Sequence, residues 1–244
     1  MGVPTLGCTC RTCTSTDPRD RRLRPSVTVE WAGHRVLIDT GPDFRWQMLA
    51  NSIRQIDAVL YTHSHADHIL GLDDLRPLSF LHPGGKIPLY ADDATATVLE
   101  RVFEYTFAAD ASYPTRARVE LNRLTGPVEI EGVEFQPVAL QHGDLEVTGF
   151  RFGNAAYLTD MSSIPDTSLP LLEGLDVAIL DALRKSRHPS HASLDDAIGW
   201  ARRLGVERAF FTHMSHEILH AEVAKELPEC MQLTYDGMRI PIEL

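Results

Sequence analysis

The stretch Thr62-His63-Ser64-His65-Ala66-Asp67-His68 decides the fold of this chain. It follows a short apolar run, residues 57–61, which has the composition of a buried strand. Two histidines at alternate positions can converge on one metal ion, and Asp67 and His68 can then face a second ion where the chain enters a helix. Imidazole and carboxylate groups suit zinc, iron or manganese. The stretch therefore predicts a metal site at the end of a strand.

Other ligand-type residues follow apolar runs further along the chain. His142 comes after residues 135–140, and Asp160 and His213 each follow a short apolar segment. Open α/β folds place their sites at strand ends. These three residues are therefore predicted to join the histidine stretch and to complete the ligand set of a pair of metals.

Two motifs resemble those of a known family. Residues 63–68 are similar to the His-x-His-x-Asp-His motif of the metallo-β-lactamase family, and Asp39-Thr40-Gly41 resembles the strand-end Asp-x-Gly that precedes it. The resemblance implies an α/β fold, a four-layer αββα sandwich, and we expect one domain over residues 1–244. The family's fold begins with a strand ahead of Gly2-Val3-Pro4, and we expect that strand to be missing here.

The PhnP branch of the family, the phosphoribosyl cyclic phosphodiesterases of phosphonate breakdown, is the closer resemblance. Gly2-Val3-Pro4 and residues 212–216 (Thr-His-Met-Ser-His) match its two terminal motifs. Three cysteines within six residues rarely pair with one another, and such clusters in a cytosolic chain more often bind metal. The branch implies one structural zinc, with His220 as an alternative to the fourth ligand. The ligands so implied are Cys8, Cys10, Cys13 and His216.

The resemblance also implies an active site with two divalent metals, zinc or manganese. A hydroxide bridging the metals would attack phosphorus, and Asp67 and Asp160 would take part in catalysis as ligands. One ion would be held by His63, His65 and His142, the other by Asp67, His68 and His213, with Asp160 between them.

A leaving alkoxide benefits from a proton donor. His191, just before a predicted helix, is the candidate, with His188 as the alternative. Asp39 and Asp181 are interpreted as residues that orient the ligand imidazoles. Arg76 is predicted to meet either a substrate phosphate or an internal carboxylate.

Composition and charge argue against some classes of function. Acidic residues number 34 against 23 basic ones, for a net charge of -11, which argues against a protein that grips long nucleic acid. Arginines at positions 11, 19, 21, 22 and 24 form either a local basic face or a solvated loop. No membrane span or secretory signal is evident, so we expect a cytoplasmic protein. Formation of a homodimer is left open.

The sequence thus predicts an enzyme, a metal-dependent phosphodiesterase acting on a small, or cyclic, phosphodiester. A thioester or lactam hydrolase and a tRNase Z-like nuclease are the alternatives on the same fold. A metal-binding scaffold without catalysis is the non-enzymatic alternative.

Periodicity predicts the elements that carry these residues. Strands are expected at 26–31, 35–39, 57–62, 128–140, 145–152, 155–158, 176–180 and 206–212. One helix is expected over 92–105. A second is expected to begin after Ser193 as N-cap, with Asp196 three residues on, and to end at Gly205.

Overall fold

A computed structural model of the chain describes residues 2–108 and 115–244. The chain divides into two compact units. The first unit is Arg24–Gly132, and the second combines Val133–Leu244 with the N-terminal segment that ends at Leu23. The single-domain prediction is not tested by this division and stays a prediction.

The first unit is built on a five-stranded sheet in the order β1-β2-β3-β4-β5. Strands β1 and β2 are antiparallel, and the following pairs are parallel. A short further strand, β6, follows in the chain. The strands are β1 (Val27–Trp31), β2 (His34–Ile38), β3 (Ala58–Leu60), β4 (Ile87–Ala91), β5 (Val119–Arg123) and β6 (Val128–Ile130).

Short helices connect the strands of this unit. They are α1 (Phe44–Ala50), α2 (Ala66–Ile69), α3 (Arg76–Ser79), α4 (Asp93–Val102) and α5 (Glu104–Phe107), with a 3₁₀ turn at Leu72–Leu75. The Asp92 side chain accepts a hydrogen bond from the Thr95 backbone N–H and so caps α4. Strand and helix side chains such as Val59, Leu89 and Leu99 share a buried core.

The second unit contains a sheet in which the order runs β12-β11-β10-β9-β8-β7. Strands β7, β8 and β9 pair antiparallel, and β9 to β12 pair parallel. Its elements are β7 (Val133–His142), β8 (Leu145–Phe152), β9 (Ala155–Leu158), β10 (Val177–Asp181), α6 (Leu194–Leu204), β11 (Arg208–Thr212), α7 (His220–Val223) and β12 (Met231–Leu233), with 3₁₀ turns at Pro18–Asp20 and Leu169–Leu172.

The two sheets with their helices confirm the predicted α/β class. Ser193 caps α6 with a capping box to Asp196, and Gly205 ends it at φ 68°, as predicted. Within the described residues, no helix is long and apolar enough to cross a membrane.

Two predicted elements were wrong. The strand expected over 128–140 is two strands, since Glu131 and Gly132 turn the chain at φ 48° and 80°. The helix expected over 92–105 is broken at Phe103, whose φ of −112° and ψ of 39° lie outside the helical region.

Candidate active site

In the first unit, the histidine stretch starts at the end of β3, whose three residues are buried. His63 and His68 are buried, whereas His65 is exposed and precedes α2 in an extended conformation. The ring centroid of His63 lies 4.6 Å from that of His65 and 4.2 Å from that of His68. The strand and the short helix therefore bring all three imidazoles together, as the sequence predicts.

Asp39 orients His68 directly and His63 through Thr62. Its Oδ2 lies 2.7 Å from His68 Nδ1 and accepts the hydroxyl of Thr62 at 2.8 Å, while its Oδ1 accepts the Thr62 backbone N–H. Because the Thr62 hydroxyl gives its proton to Asp39, it accepts from His63 Nδ1, 3.0 Å away. Both histidines then carry their proton on Nδ1, so that Nε2 keeps the lone pair that binds a metal.

The chain at Asp39 is held in an uncommon conformation. Asp39 has a φ of 66°, a region that few residues other than glycine adopt. The next residue, Thr40, donates its N–H to the His68 carbonyl at 2.8 Å. A Cβ on Gly41 would lie 2.2 Å from the Asp67 carbonyl oxygen. Only glycine therefore permits this close approach of the strand end to the ligand-bearing turn.

In the second unit, adjacent parallel strands deliver a second group of ligand-type residues. Asp160 follows β9, Asp181 ends β10 and His213 follows β11. His213 Nε2 lies 3.2 Å from Asp160 Oδ2, and its Nδ1 lies 3.8 Å from Asp181 Oδ1. Asp160 and His213 both have a positive φ, 54° and 58°. Such strained backbone clusters at functional sites.

His142, the last residue of β7, belongs to the same group. Its Nδ1 lies 2.6 Å from the carbonyl oxygen of Ser190, so Nδ1 donates the hydrogen bond and Nε2 keeps its lone pair. One ligand atom each from His142, Asp160 and His191 lies within 4.8 Å of the others. The sequence-predicted ligands of this unit therefore converge, and His191 lies with them.

His191 is held by Asp181, to which the sequence assigned only the orientation of ligands. His191 Nδ1 lies 2.7 Å from Asp181 Oδ2, and its side chain is 12% exposed. Its ring lies 4.5 Å from that of His142 and stacks 4.8 Å from that of His213. Burial raises the pKa of Asp181 well above its usual range, and the His213 imidazole opposes this rise.

His188, the alternative proton donor, lies at the edge of this group. Its ring centroid is 5.1 Å from that of His191. Its Nδ1 is 3.3 Å from the backbone nitrogen of Ser190, which donates to it. Burial, followed by the charge of His191, lowers the pKa of His188.

The three N-terminal cysteines meet His216 within the second unit. The Sγ atoms of Cys8, Cys10 and Cys13 lie 3.2, 3.6 and 3.6 Å from His216 Nδ1. With Zn–S near 2.3 Å and Zn–N near 2.0 Å, a tetrahedral edge between S and N is about 3.5 Å. The four side chains therefore have the spacing of a zinc site. The backbone N–H of Cys13 lowers the pKa of the Cys10 thiol to about 6.

Four of the five N-terminal arginines form ion pairs with acidic side chains. Among the described residues, ion pairs join Arg11 to Glu222, Arg19 to Asp17, Arg22 to Asp20 and Arg24 to Asp43. Arg76 donates to the Thr115 carbonyl oxygen at 3.2 Å. The buried pair of Arg22 and Asp20 was missed by the sequence reasoning, which had no local signal for it.

Comparisons with known proteins agree with this architecture. A family model described as beta-lactamase superfamily domain matches residues 34–214. The crystal structure of a diphosphatase from the PhnP family is 51% identical, with a TM-score of 0.93, covering 100% of this chain and 94% of that one.

Two curated relatives carry other names. An octanoyltransferase of Porphyromonas gingivalis is 34% identical over 99% of this chain, which spans about half (49%) of that protein's length. A ribonuclease Z of Pyrobaculum calidifontis is 27% identical over 81% of this chain and 83% of its own. The family match and the PhnP-family structure confirm the predicted resemblance. The chain has the metallo-β-lactamase fold and belongs to the beta-lactamase superfamily domain family.

Proposed function

We propose that this protein hydrolyses a small phosphodiester with the help of two divalent metal ions, zinc or manganese. The ligands in this proposal are His63, His65, Asp67, His68, His142, Asp160 and His213. The observation that carries the proposal is the pairing of His191 with Asp181 beside His142 and His213. Hydrolysis of an ester with a poor leaving group needs such a proton donor.

The donor chemistry of the residues fits divalent metals. His63, His68 and His142 each direct Nδ1–H to a protein oxygen, which leaves Nε2 as the metal-binding nitrogen. Asp67 and Asp160 add carboxylates, which hard and borderline cations bind. When bound, a pair of such ions lowers the pKa of water and neutralises charge on phosphate oxygens.

His191 supplies the proton in this proposal. Asp181, at 2.7 Å from Nδ1, accepts the Nδ1 proton and fixes the orientation of the ring. Nε2 then carries the proton that passes to the leaving oxygen as the P–O bond breaks. The carboxylate holds the ring in place, as the second partner of a catalytic histidine does in other hydrolases.

The second candidate substrate class is a diphosphate linkage. It is favoured by the 51% identity to a protein described as a diphosphatase of the PhnP family. Here the leaving group is a phosphate monoester, whose second pKa is about 6, so the need for a proton donor is smaller. The arrangement of His191 and Asp181 therefore favours the phosphodiester.

Two other classes of substrate have weaker support. The relatives named ribonuclease Z are between 24% and 29% identical. A net charge of -11 and the ion pairs of Arg11 and Arg19 disfavour the binding of a long RNA. Thioesters and lactams are substrates that the same fold can accept. A thioester releases a thiolate, which needs a proton less than an alkoxide does, so it accounts for the placement of His191 less directly.

The proposal also includes a structural zinc on Cys8, Cys10, Cys13 and His216. Three thiolates and one imidazole form a closed tetrahedral set with no position left for a substrate. Such a site contributes its binding energy to folding rather than to chemistry.

A substrate comparison tests the main proposal. Manganese- or zinc-loaded protein is assayed with an alkyl phosphodiester, a diphosphate diester and a thioester under the same conditions. The highest kcat/KM is expected for the phosphodiester. A preference for the diphosphate would replace the leading substrate class with the second one. A preference for the thioester, or no hydrolysis of either phosphate ester, would overturn the proposal.

A further inference from the structure

The guanidinium of Arg22 is buried and links the N-terminal segment to the residues that follow β11. Its side chain is 6% exposed. Nη1 donates to the Ser215 carbonyl at 3.1 Å and Nη2 to the Ile218 carbonyl at 2.8 Å, while Nε donates to the Arg19 carbonyl at 3.2 Å. All of these residues belong to the second unit.

Asp20 completes the arrangement from the other side. Its Oδ1 lies 3.3 Å from Arg22 Nη2 and accepts the backbone N–H of His220 at 2.8 Å. Its Oδ2 accepts the hydroxyl of Ser15 at 2.7 Å. Together Asp20 and Arg22 bind two backbone carbonyls and one backbone N–H of the segment 215–220 and so fix its conformation.

One ligand-type residue lies within this segment, and another lies two residues before it. His213 lies two residues before Ser215, and His216 follows it. His213 has a φ of 58°, and such a conformation persists only where the surroundings hold it. A buried ion pair is a weak source of stability because both charges lose their hydration. The position of the Arg22 pair therefore points to a role in geometry.

We propose that Arg22 is a positioning residue for the metal ligand His213 and acts through the carbonyl groups of Ser215 and Ile218. This inference rests on the proposed function, in which His213 binds an active-site metal. The role requires arginine, because its planar fork donates to two carbonyls and a carboxylate at fixed angles, which the single ammonium of lysine cannot reproduce.

The clamp formed by Asp20 and Arg22 adjoins the cysteine site at His216, but the three thiols of that site are held by the N-terminal segment itself. It contacts the backbone on either side of His216, and its hydrogen bonds involve no cysteine. Loss of the clamp is therefore expected to weaken the active-site metal while zinc stays on the cysteines.

The experiment compares Arg22→Met and Arg22→Lys with the wild-type protein. Arg19→Met is the matched control, because Arg19 is a neighbouring arginine whose ion pair with Asp17 is exposed. Leu172→Ala, a core truncation elsewhere in the second unit, controls for lower stability. The measurements are Mn²⁺ affinity by titration with paramagnetic resonance, zinc per chain, and Tm.

Arg22→Met is expected to weaken Mn²⁺ binding by roughly 10- to 100-fold, the range found when the residues that orient metal ligands are removed. The Mn²⁺ affinity of Arg22→Lys is expected to fall between those of Arg22→Met and wild type. The zinc content of the Arg22 variants and the Mn²⁺ affinity of both controls are expected to match wild type, although Leu172→Ala should have a lower Tm. Wild-type Mn²⁺ affinity in folded Arg22→Met overturns the inference. If Arg22→Met does not fold, Arg22→Lys decides by the same criterion. Equal weakening in Leu172→Ala also overturns it, because stability alone would then explain the effect.

His213→Ala separates the failure of this inference from the failure of the proposed function. Weaker Mn²⁺ binding in His213→Ala together with wild-type binding in the Arg22 variants rejects only the role of Arg22. Unchanged Mn²⁺ binding in His213→Ala rejects the ligand assignment itself, and with it the inference.

Discussion

Asp39 Oδ2 lies 2.7 Å from Nδ1 of His68, and neither side chain has any solvent exposure. The carboxylate can only accept a hydrogen bond, so it fixes the proton of the imidazole on Nδ1. A histidine so oriented presents Nε2 to a metal and has its basicity raised by the carboxylate behind it.

Asp39→Asn is expected to lower the metal affinity of the active site by roughly 10- to 100-fold, because an amide NH₂ facing Nδ1 favours the opposite tautomer. The affinity is measured by titration with Mn²⁺. Asp57→Asn is the control, since Asp57 accepts the Arg35 backbone N–H at a strand start and an amide oxygen can replace that bond. Equal affinity in both variants would contradict a role for Asp39 in orienting His68.

His191→Ala is expected to slow hydrolysis of an alkyl phosphodiester by about 10²–10⁴-fold, the usual contribution of general acid catalysis. The loss with a p-nitrophenyl diester should be much smaller, because p-nitrophenolate leaves without a proton. Metal content is measured alongside and should be unchanged. His188→Ala is the comparison, and equal, small losses in His191→Ala on both esters would move the assignment to His188.

Cys10→Ser is expected to remove one zinc per chain and to lower Tm by several degrees. Zinc binding contributes to the free energy of unfolding, and each kcal/mol of lost stability lowers the Tm of a chain of this size by roughly 2–4 °C. Elemental analysis and thermal unfolding check the two expectations. Cys230→Ser is the control, because Cys230 is an exposed free thiol outside the group. Unchanged zinc and Tm in Cys10→Ser would show that the cysteine site does not hold zinc.

Gly41→Ala is expected to destabilise the protein by about 1–3 kcal/mol, the usual cost of overpacking, since its Cβ would meet the Asp67 carbonyl oxygen. It should also weaken metal binding, because relief of the clash moves the turn that bears Asp67. Urea unfolding and Mn²⁺ titration measure the two effects. Gly126→Ala, where a Cβ meets nothing within 4 Å, should leave both unchanged. Wild-type stability in Gly41→Ala would contradict the close approach.

Protonation of His220 is expected to destabilise the fold in mild acid. Burial lowers its pKa, and the charges of Arg19 and Arg22 lower the pKa further, while the charges of Asp17 and Asp20 partly raise it. Its Nδ1 is buried with no hydrogen-bond partner among the described residues. Because the unfolded state binds the proton more readily, this contribution is full above about pH 6.5 and is lost as pH falls towards the lower folded pKa.

The test is the pH dependence of urea unfolding in wild type and in His220→Phe, which keeps an aromatic ring at the site. The wild type should lose more stability than the variant between about pH 6.5 and 5. Acid release of zinc affects both proteins alike and cancels in the difference. Parallel curves would show that His220 does not titrate differently in the folded and unfolded states.

The sequence by itself determined the family and the α/β class, and it predicted the metal ligands. These signals are local. His63 to His68 follow one buried strand, and Ser193 with Asp196 starts a helix within four residues. Short-range periodicity and capping specify such features, since the residues that interact are neighbours in the chain.

Strand boundaries were less well determined, and strands β4, β5 and β12 and helices α1, α3 and α7 were missed. A strand such as Ile87–Ala91 is short, and its sequence, Ile-Pro-Leu-Tyr-Ala, contains a proline that argues against a strand. Pairing with β3 and β5 stabilises it in the folded chain. Tertiary contacts thus overrode the local preference.

Only the tertiary structure decided which ligand each supporting residue contacts, and it alone identified Arg22. Asp39 and His68 are 29 residues apart, Arg22 and Ser215 are 193 apart, and Cys8 and His216 are 208 apart. No local pattern encodes such pairs, because they exist only once strands have paired and distant segments have packed. Burial makes each of these pairings specific, because a buried carboxylate or guanidinium is tolerated only where the fold supplies its partner.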